Sequence, residues 1–477
     1  MGTTDQFGNP TTDTSPHQPS VQQGINLHLP DREAIHIFWS RFRGKGRKKA
    51  GLLLSLKNIV LCSWLNIFFV FLPLGWIAHF QKFPDTAVLV LNFLALIPLE
   101  NLFDYLGDQM SLFLGNDLGD LLIITLNNSV EAVLAIILLL KCELKLLQST
   151  IVGVIILHLL LVPGVAFVTG GAQMWEQNLH PHFSQLNHSL LTLGVLALVL
   201  PASFYASLSR GSLADIEAAV LNDNARADFL RISRGIAILL LLVYISSRIY
   251  IHNPPGTDNA FQPHPDAPEE LKIKEKQLAV RDPEVDSWVG VIVLLIAIAL
   301  VAVTAEWLVK SVEFLKKENR VSEAWFGLIF LPFVSFAADG FVAVVYFGRV
   351  CLRALLHQPP SPTTLAKARS IDLSIQFALF WMPFVVLLGW WTRRPVLLLL
   401  DLYEIAVVVA SCFLVNHITA DAKTNWAEGI VLVAFYLMIA MTTWFYSGQP
   451  DMHEMSQCDS VAAFIAAAAS GEAGGGH

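Results

Sequence analysis

The stretch TLNNSVEAVLAIILLLK, residues 125–141, joins two kinds of sequence that rarely stand together. After Glu131 almost every residue is aliphatic, which is typical of a helix in hydrocarbon. Before it stand two amides, Asn127 and Asn128. A charged side chain at the centre of a bilayer costs about 2.5–3.5 kcal/mol, so Glu131 should face a cavity or a partner. The stretch therefore predicts a membrane helix whose polar beginning has a function.

The composition of the whole chain also indicates a membrane protein. Of the 477 residues, 54% are hydrophobic and only 15% are charged, too few charges for an ordinary soluble domain. A hydrocarbon core about 30 Å thick needs roughly 20 apolar residues per helix. We therefore predict an all-α polytopic membrane protein with about eleven transmembrane helices. The predicted spans are 58–80, 87–107, 118–140, 146–168, 189–209, 231–251, 288–310, 323–347, 372–391, 395–416 and 426–446.

Polar segments divide the chain into five parts. We expect a disordered tail with a basic end (1–50), a first membrane half (58–251), an acidic loop (252–287), a second membrane half (288–446) and a low-complexity tail (447–477). The acidic loop is either a solvated linker or a cation-sensing patch.

The basic end of the N-terminal tail gives an orientation. Residues 41–49 (RFRGKGRKK) place six basic groups before the first span, which predicts a cytosolic N-terminus by the positive-inside rule. The basic loop KKENR at 316–320 would then lie on the opposite side and weakens this argument.

Charge and cysteine usage exclude several functions. The net charge is −8 and the basic residues form no single surface stripe, so no nucleic-acid partner is expected. The five cysteines are odd in number and scattered, which predicts packing residues rather than a disulfide framework or a cysteine metal site. No nucleophile, base and orienting group share one predicted face, so the chain is not expected to be an enzyme.

Two spans carry related polar interruptions. The third contains LNNSVEAVLAI (126–136) and the eighth FVSFAADGFVAVV (333–345), with one carboxylate each, Glu131 and Asp339. Counted from the second span, each half has five helices, and an odd number inverts the second half relative to the first. We therefore predict one extra N-terminal helix followed by two inverted five-helix repeats, the architecture of a secondary transporter.

The two interruptions also predict a cation site. Asn128 and Glu131 are three residues apart and share a helix face, and carboxylate and amide oxygens are ligands of hard cations such as Ca²⁺. Pro332 removes a backbone hydrogen bond before Asp339, which favours exposed carbonyl ligands there. Two carboxylates in one cavity, Glu131 and Asp339, bind either a divalent metal ion or protons, because two bare charges raise each other's pKa.

At this point the sequence resembles a known family, the Ca²⁺/H⁺ antiporters or cation/proton exchangers of the sodium/calcium exchanger superfamily. The resemblance covers roughly residues 58–446 and rests on motifs in one order. The motifs are VLNFLALIPLENLFDYLGDQ (90–109), GDLLIITLNNSVEAVLAI (119–136), VPGVAFVTGG (162–171), SLLTLGVLALVLPASF (189–204), ISRGIAILLLLVY (232–244), AEWLVKSV (305–312), FAADGFVAV (336–344), IQFALFWMP (375–383) and DAKTNWAEG (421–429).

The resemblance implies a vacuolar or other organellar exchanger, without a cofactor, that moves Ca²⁺ out of the cytosol in return for protons. It implies that Glu131 and Asn128 supply the acid and amide of a GNATE-like motif in the third helix. Asp339 stands at the second acid, and Gln376 matches the glutamine of the ninth helix. His158 stands in the fourth helix, where the family usually has Asn.

Four positions depart from the family pattern. Asn127 replaces the first motif's Gly, Phe336 and Gly340 replace the second motif's Asn and His, and Asp372 stands where the ninth helix normally has Gly. The second half-site thus loses an amide and gains a nearby carboxylate. Selectivity for Mn²⁺, Na⁺ or K⁺, or a regulatory protein without transport, therefore remain alternatives.

Two further acids, Glu100 and Glu306, lie inside predicted spans. Both are candidates for a proton path, and a structural role near an interface is the alternative reading. Asp372 is likewise either a site residue or a helix-start cap. The oligomeric state is left open.

Overall fold

A computed structural model gives the fold of the chain. It describes residues 36, 38–40, 42–44, 50–114, 116–171, 177–178, 181–209, 223–252, 282–317, 322–334, 336–337, 340, 342–345, 348, 369–421, 423–449 and 454–458.

The first half of the described chain is helical apart from one short strand. Its elements are α1 (Leu52–Leu61), a 3₁₀ helix (Trp64–Val70), α2 (Phe71–Phe80), α3 (Asp85–Leu114), α4 (Asn116–Asn127), α5 (Ser129–Leu140), α6 in three consecutive segments (Leu144–Ile156, Leu157–Leu161, Val162–Gly171), β1 (Gln177–Asn178), α7 (Pro181–Ser209) and α8 (Asp223–His252).

The second half of the described chain is also helical apart from one short strand. Its elements are α9 (Ser287–Lys317), α10 (Glu323–Val334), α11 in three segments (Arg369–Gln376, Phe377–Trp381, Met382–Trp391), α12 (Leu402–Ile418), β2 (Lys423–Thr424) and α13 (Trp426–Trp444). β1 and β2 form an antiparallel two-residue ladder that links the halves.

The prediction of a polytopic helical protein is confirmed. Within the described residues, seven single helices are long and apolar enough to cross a membrane. Two bent pairs, α1 with the following helix and α4 with α5, bring this number to nine. Two shorter apolar helices, α10 and α12, lie within the eighth and tenth predicted spans.

Two predicted spans have wrong boundaries. The first begins at Leu52 rather than at 58, and it bends by 91° between Leu61 and Trp64, where the hydroxyl of Ser63 accepts a hydrogen bond from the Leu65 amide. The tenth begins at Leu402, because residues 395–401 are not helical and Asp401 caps the helix together with Glu404. An apolar run does not distinguish a buried extended segment from a helix.

The third span bends by 54° between α4 and α5. Asn128 lies at the break with φ −101° and ψ 8°. Asn has a low helix propensity because its short amide competes for the backbone hydrogen bonds. The break leaves the first amide groups of α5 without helical carbonyl partners, and the beginning of a helix favours negative charge. It therefore places a polar helix end in the membrane interior.

α6 and α11 each contain a wide π-helical turn, Leu157–Leu161 and Phe377–Trp381. In both helices a proline follows two residues after the turn, Pro163 and Pro383. Proline cannot donate the backbone hydrogen bond that a regular α-helix requires, and π turns of this kind often lie at functional positions. The local sequence thus explains the irregular backbone in both helices.

α6 is the central helix of the bundle. In its most apolar stretch 78% of the residues are buried, against 28% in α13. It crosses α10 closely: a Cβ at Gly153 would contact the Leu328 carbonyl oxygen and lie 2.6 Å from Pro332 Cγ. Small residues permit such backbone contact between membrane helices. This crossing fixes the position of α6, the helix that carries His158.

The cysteine prediction is wrong for one pair. Cys142 and Cys458 form a disulfide with their Cα atoms 6.2 Å apart, a normal separation for such a bond. The pairing joins residues 316 positions apart, which spacing in the sequence does not reveal. Cys62 and Cys412 are free, and Cys351 lies outside the described residues.

Candidate cation-binding site

Glu131 lies in the first turn of α5, directly after the break in the third span. Its side chain is 1% exposed. The partial positive charge at a helix N-terminus favours a carboxylate, which explains how the acid is held in an apolar bundle. The same position favours the ionised form of the carboxylate.

A chain of hydrogen bonds between side-chain amides connects Asn128, which is close to Glu131 in sequence, to α11. Asn128 Nδ2 donates to Gln376 Oε1 at 2.7 Å and to the Leu373 carbonyl at 3.3 Å, and Gln376 Nε2 donates to Thr125 Oγ1 at 2.9 Å. The Leu373 carbonyl can only accept, which fixes the orientation of the Asn128 amide. The Asn128 oxygen is buried and accepts no hydrogen bond from the described residues. An amide oxygen of this kind is a suitable ligand for a hard cation.

His158 lies in the π-helical turn of α6 and is 4% exposed. Its Nε2 atom is 3.7 Å from Glu131 Oε1, longer than a hydrogen bond. At this distance in a low-dielectric interior the protonation of one group changes the energy of the other. The two side chains can therefore exchange a proton or contact a common cation after a small shift.

A pocket lies beside this group of residues. It places two acids of α3, Glu100 and Asp104, near His158 and Asn127. The lining residues are Glu100, Asp104, Asn127, His158, Val162, Phe336 and Leu373. Four side chains with oxygen or nitrogen groups therefore line one part of the pocket: Glu100, Asp104, Asn127 and His158.

Two departures from the family pattern fit each other in space. The ring of Phe336 is 7% exposed and lines the pocket. A Cβ at Gly340 would lie 2.7 Å from Phe336 Cε1. The large ring at one position thus uses the space left by the missing side chain at the other. Where the family pattern has the polar residues Asn and His, the second motif therefore has Phe336 and Gly340, and the Phe336 ring lines the pocket.

The remaining predicted residues lie in different surroundings. Asp372 accepts a hydrogen bond from Asn187 Nδ2 of α7 at 2.8 Å, one turn before Gln376. Glu306 is 45% exposed in its side chain and pairs with Lys310 at 2.9 Å on the same helix. Asp339 lies outside the described residues, and so does Ser335.

Sequence reasoning missed two residues near the site. Asp104 follows Glu100 by four positions on α3, a spacing that places both on one helix face and could have been found. Thr125 accepts the Gln376 amide, and nothing in its local sequence indicates this, because the partner is 251 positions away.

Sequence reasoning also missed a buried charge cluster, formed by Lys145, Asp401 and Glu404. Lys145 Nζ lies 2.9 Å from Asp401 Oδ1 and 3.4 Å from Glu404 Oε2. Ser149 Oγ donates to Glu404 Oε1, and the Tyr446 hydroxyl donates to Asp401 Oδ2 at 3.1 Å. Burial, followed by the nearby Asp401 charge, raises the pKa of Tyr446, which keeps it a donor. The cluster joins α6 to the start of α12.

Irregular helices whose polar groups meet inside an apolar bundle define a class of membrane transport proteins. Comparison with known proteins gives the family. The model of the sodium/calcium exchanger protein family matches residues 84–251 and 289–445. The chain belongs to the sodium/calcium exchanger family, and the predicted resemblance is confirmed.

Relatives extend over most of the chain. A vacuolar calcium ion transporter of Cryptococcus neoformans var. grubii is 31% identical over 83% of this chain and 75% of its own length. A Ca²⁺/H⁺ antiporter of Synechocystis is 30% identical over 80% of this chain and 96% of its own length.

The fold is also that of a solved structure, native YfkE. It superposes with a TM-score of 0.59 at 22% identity and covers 80% of this chain and all of its own.

Proposed function

We propose that this protein is a secondary active antiporter that exchanges Ca²⁺ for H⁺. The observation that carries the proposal is the group formed by buried Glu131, the Asn128 amide oxygen and His158 beside a pocket that is also lined by Glu100 and Asp104. The relatives named as calcium transporters and Ca²⁺/H⁺ antiporters support the same function.

Competition for the same oxygens explains the coupling. Ionised Glu131 together with amide and carbonyl oxygens can bind a divalent cation. When the cation leaves, a bare carboxylate in a low-dielectric interior favours uptake of a proton. His158 is close enough to pass that proton or to stabilise the ionised acid through its own charge. Cation binding and proton binding at this site therefore exclude each other.

We further propose that Asp339 supplies the second carboxylate, as its motif suggests, and that Glu100 and Asp104 form the proton path into the pocket. Glu100 has the stronger support of the two predicted path acids, because it lines the pocket beside His158. Glu306 has weaker support, since a half-exposed pair with Lys310 is typical of a surface ion pair. Asp372 supports the site indirectly, through its position one turn before Gln376.

The proposed architecture has eleven spans, of which the last ten form two inverted repeats of five. α6 and α11 occupy equivalent places in the two repeats. Both contain a π turn with a proline two residues later, a feature that α10 shares, so it supports irregular helices in both halves rather than this particular pairing. Alternating access then follows from movement of one half against the other around the site.

We place the protein in the membrane of an acidic organelle, most simply the vacuole, with its N-terminus in the cytosol. The name of the fungal relative, a vacuolar calcium ion transporter, supports this location. An acidic interior supplies the protons that drive Ca²⁺ out of the cytosol.

The test is uptake of ⁴⁵Ca²⁺ into vesicles that contain the purified protein and have an acidic interior. Glu131→Gln should lower the initial rate to below about a tenth of the wild-type rate, because the amide cannot give up a proton or supply a charge. Mn²⁺, Na⁺ and K⁺ added in excess measure the selectivity that the altered second motif leaves open.

Asp228→Asn is the matched control. This acid is 67% exposed and pairs with Arg231 on the surface, so its neutralisation should leave uptake within about twofold of wild type. Normal uptake by Glu131→Gln would overturn the site. No uptake of any of the four cations by wild type would favour the protein without transport.

A further inference from the structure

Residues 454–458, named here the C-terminal latch, lie inside the fold rather than beside it. Met455 is fully buried and Ser456 is 4% exposed. Ser456 Oγ donates to Gln148 Oε1 of α6 at 3.1 Å, and Arg226 Nη1 of α8 donates to the Gln457 carbonyl at 3.0 Å. The buried methionine and the two hydrogen bonds give the latch a defined position in the fold.

The latch connects both halves of the protein. Its contacts with Gln148 and Arg226 belong to the first half. In the second half Arg394, between α11 and α12, donates through Nη1 to Cys458 Sγ at 3.3 Å and through Nη2 to the Leu140 carbonyl at 3.4 Å. Gln148 Nε2 also donates to the carbonyls of Leu397 and Leu399 at 2.9 and 3.2 Å. The latch therefore fastens elements that must move apart if the halves rock.

The chain leading to the latch also closes over the buried charge cluster. The Tyr446 hydroxyl and the Gln449 amide both donate to Asp401 Oδ2, at 3.1 and 3.3 Å. Asp401 in turn binds Lys145 of α6. The latch and this cluster lie near the first residues of α6, and Lys145 is thirteen positions, or about 20 Å along the helix, from His158.

The disulfide between Cys142 and Cys458 determines whether the latch can dissociate from the rest of the fold. Cys142 follows α5, and Cys458 ends the latch. Both side chains are half-buried, so small reductants can reach them. Formation of the bond removes two protons and two electrons from the thiols, and oxidised glutathione or another disulfide accepts them and becomes two thiols. Reduction reverses the same balance.

We propose that the Cys142–Cys458 pair is an oxidation-controlled lock, which holds the C-terminal latch across the two halves and slows exchange. Reduction frees the latch and allows the halves to move. This inference rests on the proposed function only for its effect on transport; the lock itself has a separate readout.

The test uses the full chain in vesicles, oxidised with glutathione disulfide or reduced with a membrane-permeant thiol. Reduced wild type should take up ⁴⁵Ca²⁺ at least fivefold faster than oxidised wild type. Cys458→Ser and Cys142→Ser should transport at the reduced rate in both conditions. Cys412→Ser changes a free cysteine and should keep the full response to reduction.

Cleavage after Glu454 by a glutamate-specific protease, in detergent, measures the accessibility of the latch independently of transport. Oxidised wild type should resist cleavage at least tenfold longer than reduced wild type, and Cys458→Ser should be cleaved quickly in both conditions. Redox-dependent protection without transport by any variant would support the lock and reject the proposed function. Equal, measurable transport by oxidised and reduced wild type, or no peptide linking residues 142 and 458 in the oxidised protein, would overturn the lock.

Discussion

Gln376 acts at the scale of a single residue by joining three helices through one amide. Its oxygen accepts from Asn128 at the break of the third span, and its nitrogen donates to Thr125 of α4. Gln376 itself is 1% exposed. In an apolar interior such groups cost free energy unless they are paired. The amide chain therefore fixes the Asn128 oxygen beside Glu131 and leaves it open for a cation.

Gln376→Leu should weaken cation binding. The substitution removes the two buried hydrogen bonds that Gln376 makes with Asn128 and Thr125, which costs about 0.5–1.5 kcal/mol per bond. Since about 1.4 kcal/mol is a tenfold change in an equilibrium constant, the KM for Ca²⁺ should rise about tenfold or more. Initial uptake rates over a range of Ca²⁺ concentrations measure this change.

Asn416→Leu is the matched control for that experiment. Its Nδ2 donates to Thr192 Oγ1 at 3.0 Å, which is also an amide-to-hydroxyl bond between helices, α12 and α7. Its loss should lower stability without changing the KM. An unchanged KM in Gln376→Leu, or an equal rise in both variants, would contradict the role assigned to Gln376.

At the scale of elements, the crossing of α6 and α10 decides where the site helices lie. Gly153 contacts α10, and Gly327 of α10 faces Ser149 of α6 in return, where an added Cβ would lie 2.5 Å from Ser149 Cβ. Lipid tails are as apolar as leucine, so close packing rather than exclusion of water drives such contacts. Two glycines in facing helices give the backbone approach that this packing needs.

Gly153→Ala should lower stability. Its Cβ would lie 2.6 Å from Pro332 Cγ and also meet the Leu328 carbonyl, and overpacking of this kind costs about 1–3 kcal/mol. We expect the apparent Tm in detergent to fall by several degrees. A thermal scan of intrinsic tryptophan fluorescence measures it.

Gly235→Ala isolates the effect of the crossing. Gly235 is also a helical glycine, in α8, but nothing lies within 4 Å of an added Cβ. Alanine is favoured over glycine in a helix by about 1 kcal/mol, so the apparent Tm should stay equal or rise. If both variants lost the same number of degrees, the loss in Gly153→Ala could not be assigned to the crossing.

At the scale of the whole molecule, one face of the bundle carries the disulfide, the latch and the charge cluster. The loop after α5, the start of α12 and the chain after α13 all meet there. Disulfides persist in oxidising compartments and are rare in the cytosol. The disulfide therefore favours a non-cytosolic position for this face, which agrees with a cytosolic N-terminus and eleven spans.

The two ends of the chain should lie on opposite sides of the membrane. An odd number of spans requires it, and the acidic loop, after six spans, should lie on the N-terminal side. In intact vacuoles, external protease should remove an N-terminal tag and a tag inside residues 253–281, and should spare a C-terminal tag.

Permeabilised vacuoles provide the control, because all three tags should then be cleaved. Removal of both terminal tags from intact vacuoles would mean an even number of crossings and would reject the arrangement of eleven spans.

The sequence predicted the apolar helices well, for a local reason. Hydrophobic runs of about 20 residues report burial in lipid wherever they fold, and an acid such as Glu131 within such a run must have a functional or paired role. The same local pattern predicted Asn128 as a partner of Glu131, and the family resemblance added Gln376 and His158; these site assignments stay predictions. Sequence alone thus determined the class of the protein.

The tertiary structure decided what depends on distant pairs. The 91° bend of the first span, the non-helical start of the tenth, the Lys145 cluster and the Cys142–Cys458 bond all arise from contacts between segments far apart in the chain. An apolar run has the same composition whether it is a helix or a buried extended segment. Which side chains meet is set by helix crossings and caps, and these form only when the whole bundle packs.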